Sequence, residues 1–404
     1  MAKYVILVGA AYGHVNPTLA VAQELVRRGE QVVYYLTEEF RAPVEATGAT
    51  FQPYQSMMGN IMSKQQPPSG LPRDAKFMFR AIPLMRVKES QNVLPQVLER
   101  ISMEQADVIL YDPLCLWARI VSQVLHIPAI LLCPTYAANE HSYFMQKQPA
   151  FMQSQSPGMF DDIQSAINEL CTLYHIPPLD LRDFFTYTEA LNIVFMPRAF
   201  QPAGETFDER FVFVGPSLLP RKGTPAFPLE RLEGQPTLYI SLGTAFNNRA
   251  DFFKLCLQAF DHQPWQVVMA HGKHVDEAAL GTIPQNFLLA PYVPQLEVLQ
   301  RASVFVTHGG MNSVMESLYF GVPVVVVPQI IEQEQTARRC VELGLGLALD
   351  PNDLTAEELR AAVEEVHHTP TFREHVLAMQ QTVRAAGGYQ RAVDAISDFA
   401  QRKQ

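Results

Sequence analysis

Short apolar segments recur along the first half of the chain and alternate with stretches whose apolar residues have helical spacing. Strands are predicted at residues 4–8, 31–36, 108–111 and 129–132. One helix is predicted to begin at Asn16-Pro17 and to end at Gly29, and another to cover residues 114–125. The strands are continuously apolar, which is typical of a parallel sheet with helices on both faces.

The same alternation restarts in the second half. Strands are predicted at residues 237–241, 265–270, 287–289, 304–306 and 324–327, and helices at residues 251–260, near residues 295–301 and after Ser313. Between the halves, several prolines in residues 216–235 disfavour regular structure and mark the predicted linker. The sequence therefore predicts an α/β protein with two doubly wound, Rossmann-like domains that face each other across a cleft.

Composition narrows the class of protein. A chain of 404 residues exceeds one compact core, and its net charge of −10 argues against a broad nucleic-acid surface. The five cysteines are scattered and include no Cys-x-x-Cys pair, so we expect buried, reduced thiols and a cytoplasmic protein. The amino terminus lacks the apolar region of a signal peptide, and no apolar run approaches the ~20 residues of a membrane span.

A glycine-rich turn follows the predicted strand at residues 304–306. Thr307-His308-Gly309-Gly310-Met311-Asn312-Ser313 leads into a helical pattern that contains Glu316 and ends at Gly321. Glycines let the backbone approach a ligand closely, and the N-terminus of a helix attracts anions. The more ordinary interpretation is a strand-to-helix turn in which Ser313 and Glu316 form a capping box.

A histidine and an aspartate follow two strands of the first half. His14 lies in the turn after residues 4–8, and Asp112 comes directly after residues 108–111. Ligands of open α/β sheets bind beyond the carboxyl ends of the strands, and a histidine held by a carboxylate makes a general base. Taken one at a time, His14 is equally well explained as a turn histidine and Asp112 as a helix cap. Their location at the ends of two strands of one sheet favours a His–Asp dyad.

Further polar side chains follow strands of the second half. Thr244 ends a Gly-Thr turn, Tyr292-Val293-Pro294-Gln295 supplies an aromatic face and an amide, and Glu332-Gln333 supplies partners for sugar hydroxyls. In the first half, methionines and phenylalanines crowd one region, which suits either an adaptable apolar pocket or core filling. The candidate acceptor-binding residues of that region are Met58, Met62, Phe77, Met78, Phe144 and Met145.

These motifs together resemble the UDP-dependent glycosyltransferases of the GT-B fold, specifically the bacterial macrolide glycosyltransferase subfamily, over nearly the full length. The resemblance implies an acceptor-binding domain at residues 1–215, a linker at 216–235 and a donor-binding domain at 236–385. It also implies that a C-terminal helix at residues 386–404 packs back on the first domain. The implied partners are a UDP-sugar and an apolar, hydroxyl-bearing small molecule such as a macrolide, flavonoid or phenol.

The resemblance also implies a role for each matching residue. His14 would deprotonate the acceptor hydroxyl, with Asp112 supporting it. Tyr292, where the family usually has tryptophan, would stack on the uracil, and Glu316 would bind the ribose. The diphosphate would be bound by His308, Gly310, Asn312 and Ser313, with Thr244 nearby. Glu332 and Gln333 would bind the donor sugar. Val293 and Gln295 would complete the donor-binding residues.

The implied reaction is an inverting transfer of a hexose, most simply glucose, that needs no cofactor and no metal. The chain has no Asp-x-Asp pair, which metal-dependent transferases use to hold their cation. Three alternatives remain: a nicotinamide-dependent dehydrogenase, a nucleotide-sugar epimerase, and a non-catalytic binding protein. The first lacks the Gly-x-Gly-x-x-Gly fingerprint, because Ala11 and His14 stand where glycines are required.

Overall fold

The chain forms two compact α/β units in a computed structural model. The structure describes residues 1–57, 80–142, 160–181, 186–219, 227–244 and 247–403. The described residues up to Leu218, together with those from Ala386 onward, form the first unit, and those between Leu219 and Ala385 form the second. Along the described chain, no helix is long and apolar enough to cross a membrane.

The first unit is built on a seven-stranded parallel sheet with strand order β3-β2-β1-β4-β5-β6-β7. The strands are β1 (Lys3–Leu7), β2 (Gln31–Leu36), β3 (Thr50–Pro53), β4 (Val108–Tyr111), β5 (Ala129–Cys133), β6 (Asn192–Val194) and β7 (Phe211–Phe213). The helices before the second unit are α1 (Tyr12–Arg27), α2 (Arg41–Glu45), α3 (Ile82–Glu104), α4 (Leu116–Leu125) and α5 (Asp161–Leu173). The order reverses between β1 and β4, which makes this the switch point of the sheet.

The second unit has a six-stranded parallel sheet with strand order β10-β9-β8-β11-β12-β13. Its strands are β8 (Thr237–Ser241), β9 (Gln266–Ala270), β10 (Phe287–Ala290), β11 (Ala302–Thr307), β12 (Val324–Val326) and β13 (Gly346–Ala348). Its helices are α6 (Ala250–Phe260), α7 (Gln295–Leu299), α8 (Met311–Phe320), α9 (Ile331–Glu342), α10 (Ala356–His368) and α11 (Pro370–Ala385). The switch point lies between β8 and β11.

The last helix, α12 (Gly388–Lys403), belongs to the first unit. Its apolar face includes Val393 and Ile396, which are buried in the same core as residues of β1, β2 and α1. Arg28, directly after α1, donates a hydrogen bond of 2.6 Å to Asp394 of α12. The helix therefore covers one face of the first sheet, as the parallel arrangement of strands requires.

Short 3₁₀ turns complete the described elements, at Glu38–Phe40, Gly204–Thr206, Leu229–Leu232 and Glu277–Leu280. All five cysteines are buried and unbridged, as expected from their spacing. The predicted strands and helices of the regular regions are confirmed to within two residues at most ends. The short strands β3, β6 and β7 of the first sheet and β13 of the second were not predicted.

The start of α1 was predicted wrongly. The helix begins at Tyr12 rather than at Asn16-Pro17, and Pro17 lies inside it. Ala11 is extended and its carbonyl accepts the N–H groups of both His14 and Val15, which makes Ala11 the cap. Pro17 lies beyond the first four residues of the helix, whose N–H groups lack intrahelical partners, so the helix forms one hydrogen bond fewer at this position.

Candidate active site

His14 and Asp112 meet at the switch point of the first sheet. The Nδ1 of His14 lies 2.5 Å from the Oδ2 of Asp112, although 98 residues separate them in sequence. The early start of α1 places His14 in the first helical turn, where its backbone is fixed. The structure therefore brings together the two side chains that were predicted to form a dyad.

Asp112 is held rigidly for this contact. Its side chain is fully buried. The second carboxylate oxygen, Oδ1, accepts the N–H of Leu114 at 2.7 Å, and the Asp112 N–H donates to the carbonyl of Leu7 in β1 at 3.1 Å. The alternative role as a helix cap is excluded, because α4 begins at Leu116 and is capped by Cys115.

The contact determines the tautomer of a neutral His14. A carboxylate can only accept, so Nδ1 carries the proton and Nε2 carries the lone pair. The His14 side chain is about one-fifth exposed. Nε2 is therefore the ring atom equipped to take a proton from a bound hydroxyl, and the buried carboxylate of Asp112 stabilises the imidazolium that results.

Two residues that the sequence interpretation missed clamp the turn after Asp112. The hydroxyl of Tyr187 donates to the carbonyl of Pro113 at 2.7 Å, and the guanidinium of Arg86 donates to the same oxygen. Arg86 also donates to the hydroxyl of Tyr187 at 2.9 Å. Neither residue is near Asp112 in sequence, so no local signal pointed to them.

A small cavity of about 40 Å³ lies beside these turns. It is bordered by residues just before α1 and just after Asp112, and by Glu89 and Trp117. The lining residues are Gly9, Ala10, Ala11, Tyr54, Ser56, Glu89, Leu114, Cys115 and Trp117. The predicted acceptor residues Met58, Met62, Phe77, Met78, Phe144 and Met145 lie outside the residues that the structure describes.

In the second unit, the glycine-rich turn connects β11 to α8. Gly309 has a positive φ of 84°, and a Cβ there would lie 2.7 Å from Cγ1 of Val326. Gly310 is extended and its carbonyl accepts the N–H of Val314, so Gly310 is the cap of α8. The capping-box interpretation of Ser313 and Glu316 is therefore wrong: Ser313 already lies inside the helix. The N-terminus of α8 is formed by Gly310, Met311, Asn312 and Ser313, whose backbone N–H groups suit an anion.

The imidazole of His308 is packed between two glycine turns. A Cβ on Gly243, which follows β8, would lie 2.5 Å from Cε1 of His308, and a Cβ on Gly310 would overlap its Nε2. Burial lowers the pKa of His308 to about 4, although a hydrogen bond with the Ser241 backbone opposes the shift. The ring is therefore neutral at pH 7, and its single N–H takes part in the hydrogen bond with the Ser241 backbone. Thr244 follows Gly243 and is exposed.

Asn247, which the sequence interpretation did not select, supports this turn. Its amide donates to the carbonyl of Gly243 at 2.6 Å, and its side chain is almost fully buried. Gly272 allows the contact, because a Cβ on Gly272 would overlap the Asn247 amide. The glycines around His308 are thus required by close packing as well as by backbone angles.

The remaining candidates occupy three turns at the same edge of the second sheet. Tyr292 follows β10 and is 49% exposed, whereas neighbouring Val293 is buried. The amide of Gln295 donates to the Glu316 carboxylate at 2.5 Å. Gln333 is buried and its side-chain oxygen accepts the N–H of Gln329 at 2.7 Å, which holds the turn after β12. Asn312, Ser313 and Glu332 are partly exposed in the first turns of α8 and α9.

The chain is similar to known glycosyltransferases over nearly its full length. The family model described as "Erythromycin biosynthesis protein CIII-like, C-terminal domain" matches residues 257–395. The NDP-glycosyltransferase YjiC of Bacillus licheniformis is 44% identical over 96% of this chain and 95% of its own. This chain belongs to the bacterial macrolide-type UDP-glycosyltransferases.

Two further similarities agree with this assignment. The uncharacterized UDP-glucosyltransferase YojK of Bacillus subtilis is 34% identical over 97% of this chain and 96% of its own. The crystal structure of CalG4, the calicheamicin glycosyltransferase, superposes with a TM-score of 0.84 at 33% identity, covering 100% of this chain and 99% of that one. This macrolide-type glycosyltransferase therefore has the GT-B fold, and the dehydrogenase, epimerase and non-catalytic alternatives are not favoured.

We predict that His308 makes the stability of this glycosyltransferase depend on pH. The pKa of His308 is about 4 in the folded protein and ordinarily 6.5, so between these values the unfolded chain binds more protons. The stabilisation is complete above pH 6.5 and is lost as pH falls toward 4. Urea midpoints at pH 7 and pH 5 should differ more for the wild type than for His308→Gln. Equal changes in urea midpoint for the wild type and His308→Gln would contradict the lowered pKa of His308.

Proposed function

We propose that this glycosyltransferase transfers a hexose, most simply glucose from UDP-glucose, to a hydroxyl group of an apolar small molecule, with inversion at the anomeric carbon. The observation that carries the proposal is the contact between His14 and the buried Asp112 at a sheet switch point. The glucose donor is supported by the name of one relative, a UDP-glucosyltransferase. Natural-product acceptors such as macrolides are supported by the erythromycin and calicheamicin proteins that the chain resembles, and we include flavonoids and phenols as further apolar, hydroxyl-bearing acceptors.

The proposed reaction begins at the acceptor oxygen. Nε2 of His14 takes the hydroxyl proton while that oxygen forms a bond to the anomeric carbon. The bond from this carbon to the diphosphate breaks on the opposite face, through a transition state with oxocarbenium character. The bonding electrons leave with the nucleoside diphosphate, and the proton remains on His14 beside the Asp112 carboxylate.

We assign the departing diphosphate to the N-terminus of α8. The amides of Gly310, Asn312 and Ser313, with the hydroxyl of Ser313, are suited to phosphate oxygens, and the dipole of α8 favours the negative charge that develops. We also place His308 beside the diphosphate, because its ring packs against Gly310 at the start of this helix. Thr244 follows the adjacent Gly243 turn, which supports a second hydroxyl contact.

The remaining donor groups are assigned by their chemistry. Tyr292 stacks on the uracil, with Val293 beside it, and Glu316 accepts hydrogen bonds from the ribose hydroxyls. Glu332, in the first turn of α9, and Gln333 bind the transferred sugar. The five buried, unbridged cysteines support a reducing compartment, and we therefore propose the cytoplasm.

We predict that His14→Ala lowers kcat by a factor on the order of 10²–10⁴, because the acceptor proton loses its base. The affinity for UDP, measured by calorimetry, should change less than about twofold, since His14 belongs to the acceptor-binding unit. Asp112→Asn should lower kcat to a similar extent, because an amide does not stabilise the imidazolium.

The matched control for these variants is His126→Asn, which removes an exposed histidine of the same unit at a left-handed position that asparagine tolerates. Its rate should equal that of the wild type. Unchanged transfer by His14→Ala would refute the general-base assignment, and loss of UDP binding by the same variant would show that the defect is not confined to proton transfer.

We also propose that the reaction needs no divalent metal, because the N–H groups and dipole at the N-terminus of α8 supply the stabilisation that a cation provides to diphosphate in other transferases. Transfer rates measured in EDTA, at a concentration on the order of 10 mM, should match the rates measured without chelator. A loss of activity in EDTA that Mg²⁺ or Mn²⁺ restores would contradict this proposal.

A further inference from the structure

Three side chains of the second unit form a continuous polar chain that ends at Glu316. The hydroxyl of Tyr239, in β8, donates to Oε1 of Gln295 at 2.9 Å. Nε2 of Gln295, at the start of α7, then donates to Oε2 of Glu316, in α8, at 2.5 Å. Three elements that are distant in sequence are thereby connected to one carboxylate.

The two contacts agree on one orientation of the Gln295 amide. The Glu316 carboxylate can only accept, so it must face the amide nitrogen rather than the amide oxygen. The opposite orientation would place two acceptor oxygens against each other at Glu316. The Tyr239 hydroxyl stabilises the productive orientation from the other end, because it donates to the amide oxygen.

Tyr239 is itself fixed by the sheet. Its side chain is 1% exposed, and its ring stacks on Phe305 with a centroid distance of 4.5 Å and an interplanar angle of 9°. The two residues are register partners in the β8–β11 pair. The position of the phenol oxygen is therefore set by the pairing of the two strands at the switch point.

We propose that Tyr239 is a positioning residue that, through Gln295, orients Glu316 to bind both ribose hydroxyls and so selects ribonucleotide donors over 2′-deoxyribonucleotide donors. The proposal rests on the ribose-binding role proposed above for Glu316. Beyond that role, the proposal gives Tyr239 a function although it touches no ligand. It also explains how the site would discriminate between UDP-sugars and TDP-sugars, which differ in the 2′-hydroxyl as well as in the base.

The discrimination follows from the chemistry of a buried carboxylate. Ribose offers two neighbouring O–H donors and deoxyribose offers one. A site built to hydrogen-bond a hydroxyl rejects the analogue that lacks it, because a buried polar atom then loses a partner. Glu316 is only 3% exposed, so a small rotation of its carboxylate decides whether both hydroxyls are within reach. Without the Tyr239 contact, the Gln295 amide and the Glu316 carboxylate rotate more freely. The absence of the 2′-hydroxyl then weakens nucleotide binding less.

The test compares UDP with 2′-deoxy-UDP, two probes that differ only at the 2′-position. Their dissociation constants should be measured by calorimetry for the wild type and for Tyr239→Phe. The wild type should bind UDP about tenfold or more tightly than 2′-deoxy-UDP. Tyr239→Phe should weaken UDP binding by roughly three- to thirtyfold and 2′-deoxy-UDP binding by less than about twofold, so that the preference largely disappears.

The matched control is Tyr319→Phe, which removes the hydroxyl of a tyrosine in α8 whose ring lies against the Arg384 guanidinium. This variant should keep the preference of the wild type. Gln295→Leu, which removes the middle of the chain, should lose it as Tyr239→Phe does.

The possible failures are distinguishable. A preference that survives in Tyr239→Phe would refute the positioning role. Equal binding of UDP and 2′-deoxy-UDP by the wild type would show that Glu316 does not read the ribose, and would overturn this proposal while leaving sugar transfer by His14 intact. Absence of UDP binding would overturn the proposal together with the proposed donor.

Discussion

The carboxyl ends of parallel strands lie at one edge of a sheet, and this constraint underlies the assigned chemistry of the protein. In each unit the strand order reverses once, between β1 and β4 in the first and between β8 and β11 in the second. The helices that follow such a pair of strands diverge, which leaves room between the two turns. His14 and Asp112 follow one pair, and the Gly243 and His308 turns follow the other. Side chains that are far apart in sequence meet there because the sheet brings the strands side by side.

The two histidines are set to opposite electrostatic tasks by their surroundings. His14 faces a buried carboxylate that favours a positive ring, which suits a group that must accept a proton. His308 is packed against glycine backbones, and burial lowers its pKa to about 4, which keeps the ring neutral. His308 therefore adds no permanent charge beside the N-terminus of α8. We therefore propose acid–base chemistry for His14 alone, and for His308 a place beside the proposed diphosphate site.

The sequence was sufficient for the central strands of both sheets and for the turns that carry the candidate site residues, because continuous apolar runs followed by glycine or polar turns are local signals. The short strands β3, β6, β7 and β13 gave no such signal. The predicted helix starts were less accurate. Asn16-Pro17 and Ser313-x-x-Glu316 both have the local pattern of a helix start, yet Ala11 and Gly310 are the caps. In both cases a short connection to the preceding strand starts the helix as soon as the backbone can turn. Tertiary geometry thus overrode a capping preference of about 1 kcal/mol.

Contacts between distant side chains could not be predicted. Tyr239 lies within an apolar strand, and only its hydroxyl indicated that a buried partner was needed. That this partner is Gln295, 56 residues away, follows from the packing of α7 against the sheet. Arg86 and Tyr187 meet at Pro113 for the same kind of reason. Such supporting residues carry no motif, since many side chains can hold a turn in place.

The central claim is that this chain transfers a hexose with inversion, and the stereochemistry of the product tests it most directly. The protein should be incubated with UDP-glucose and a panel of macrolide, flavonoid and phenolic acceptors, and the products analysed by mass spectrometry and NMR. The account predicts acceptors that gain one hexose, joined through a β-glycosidic bond although the donor is α-linked. An α-linked product would contradict the mechanism, and conversion of UDP-glucose into another nucleotide sugar without any acceptor adduct would contradict the function itself.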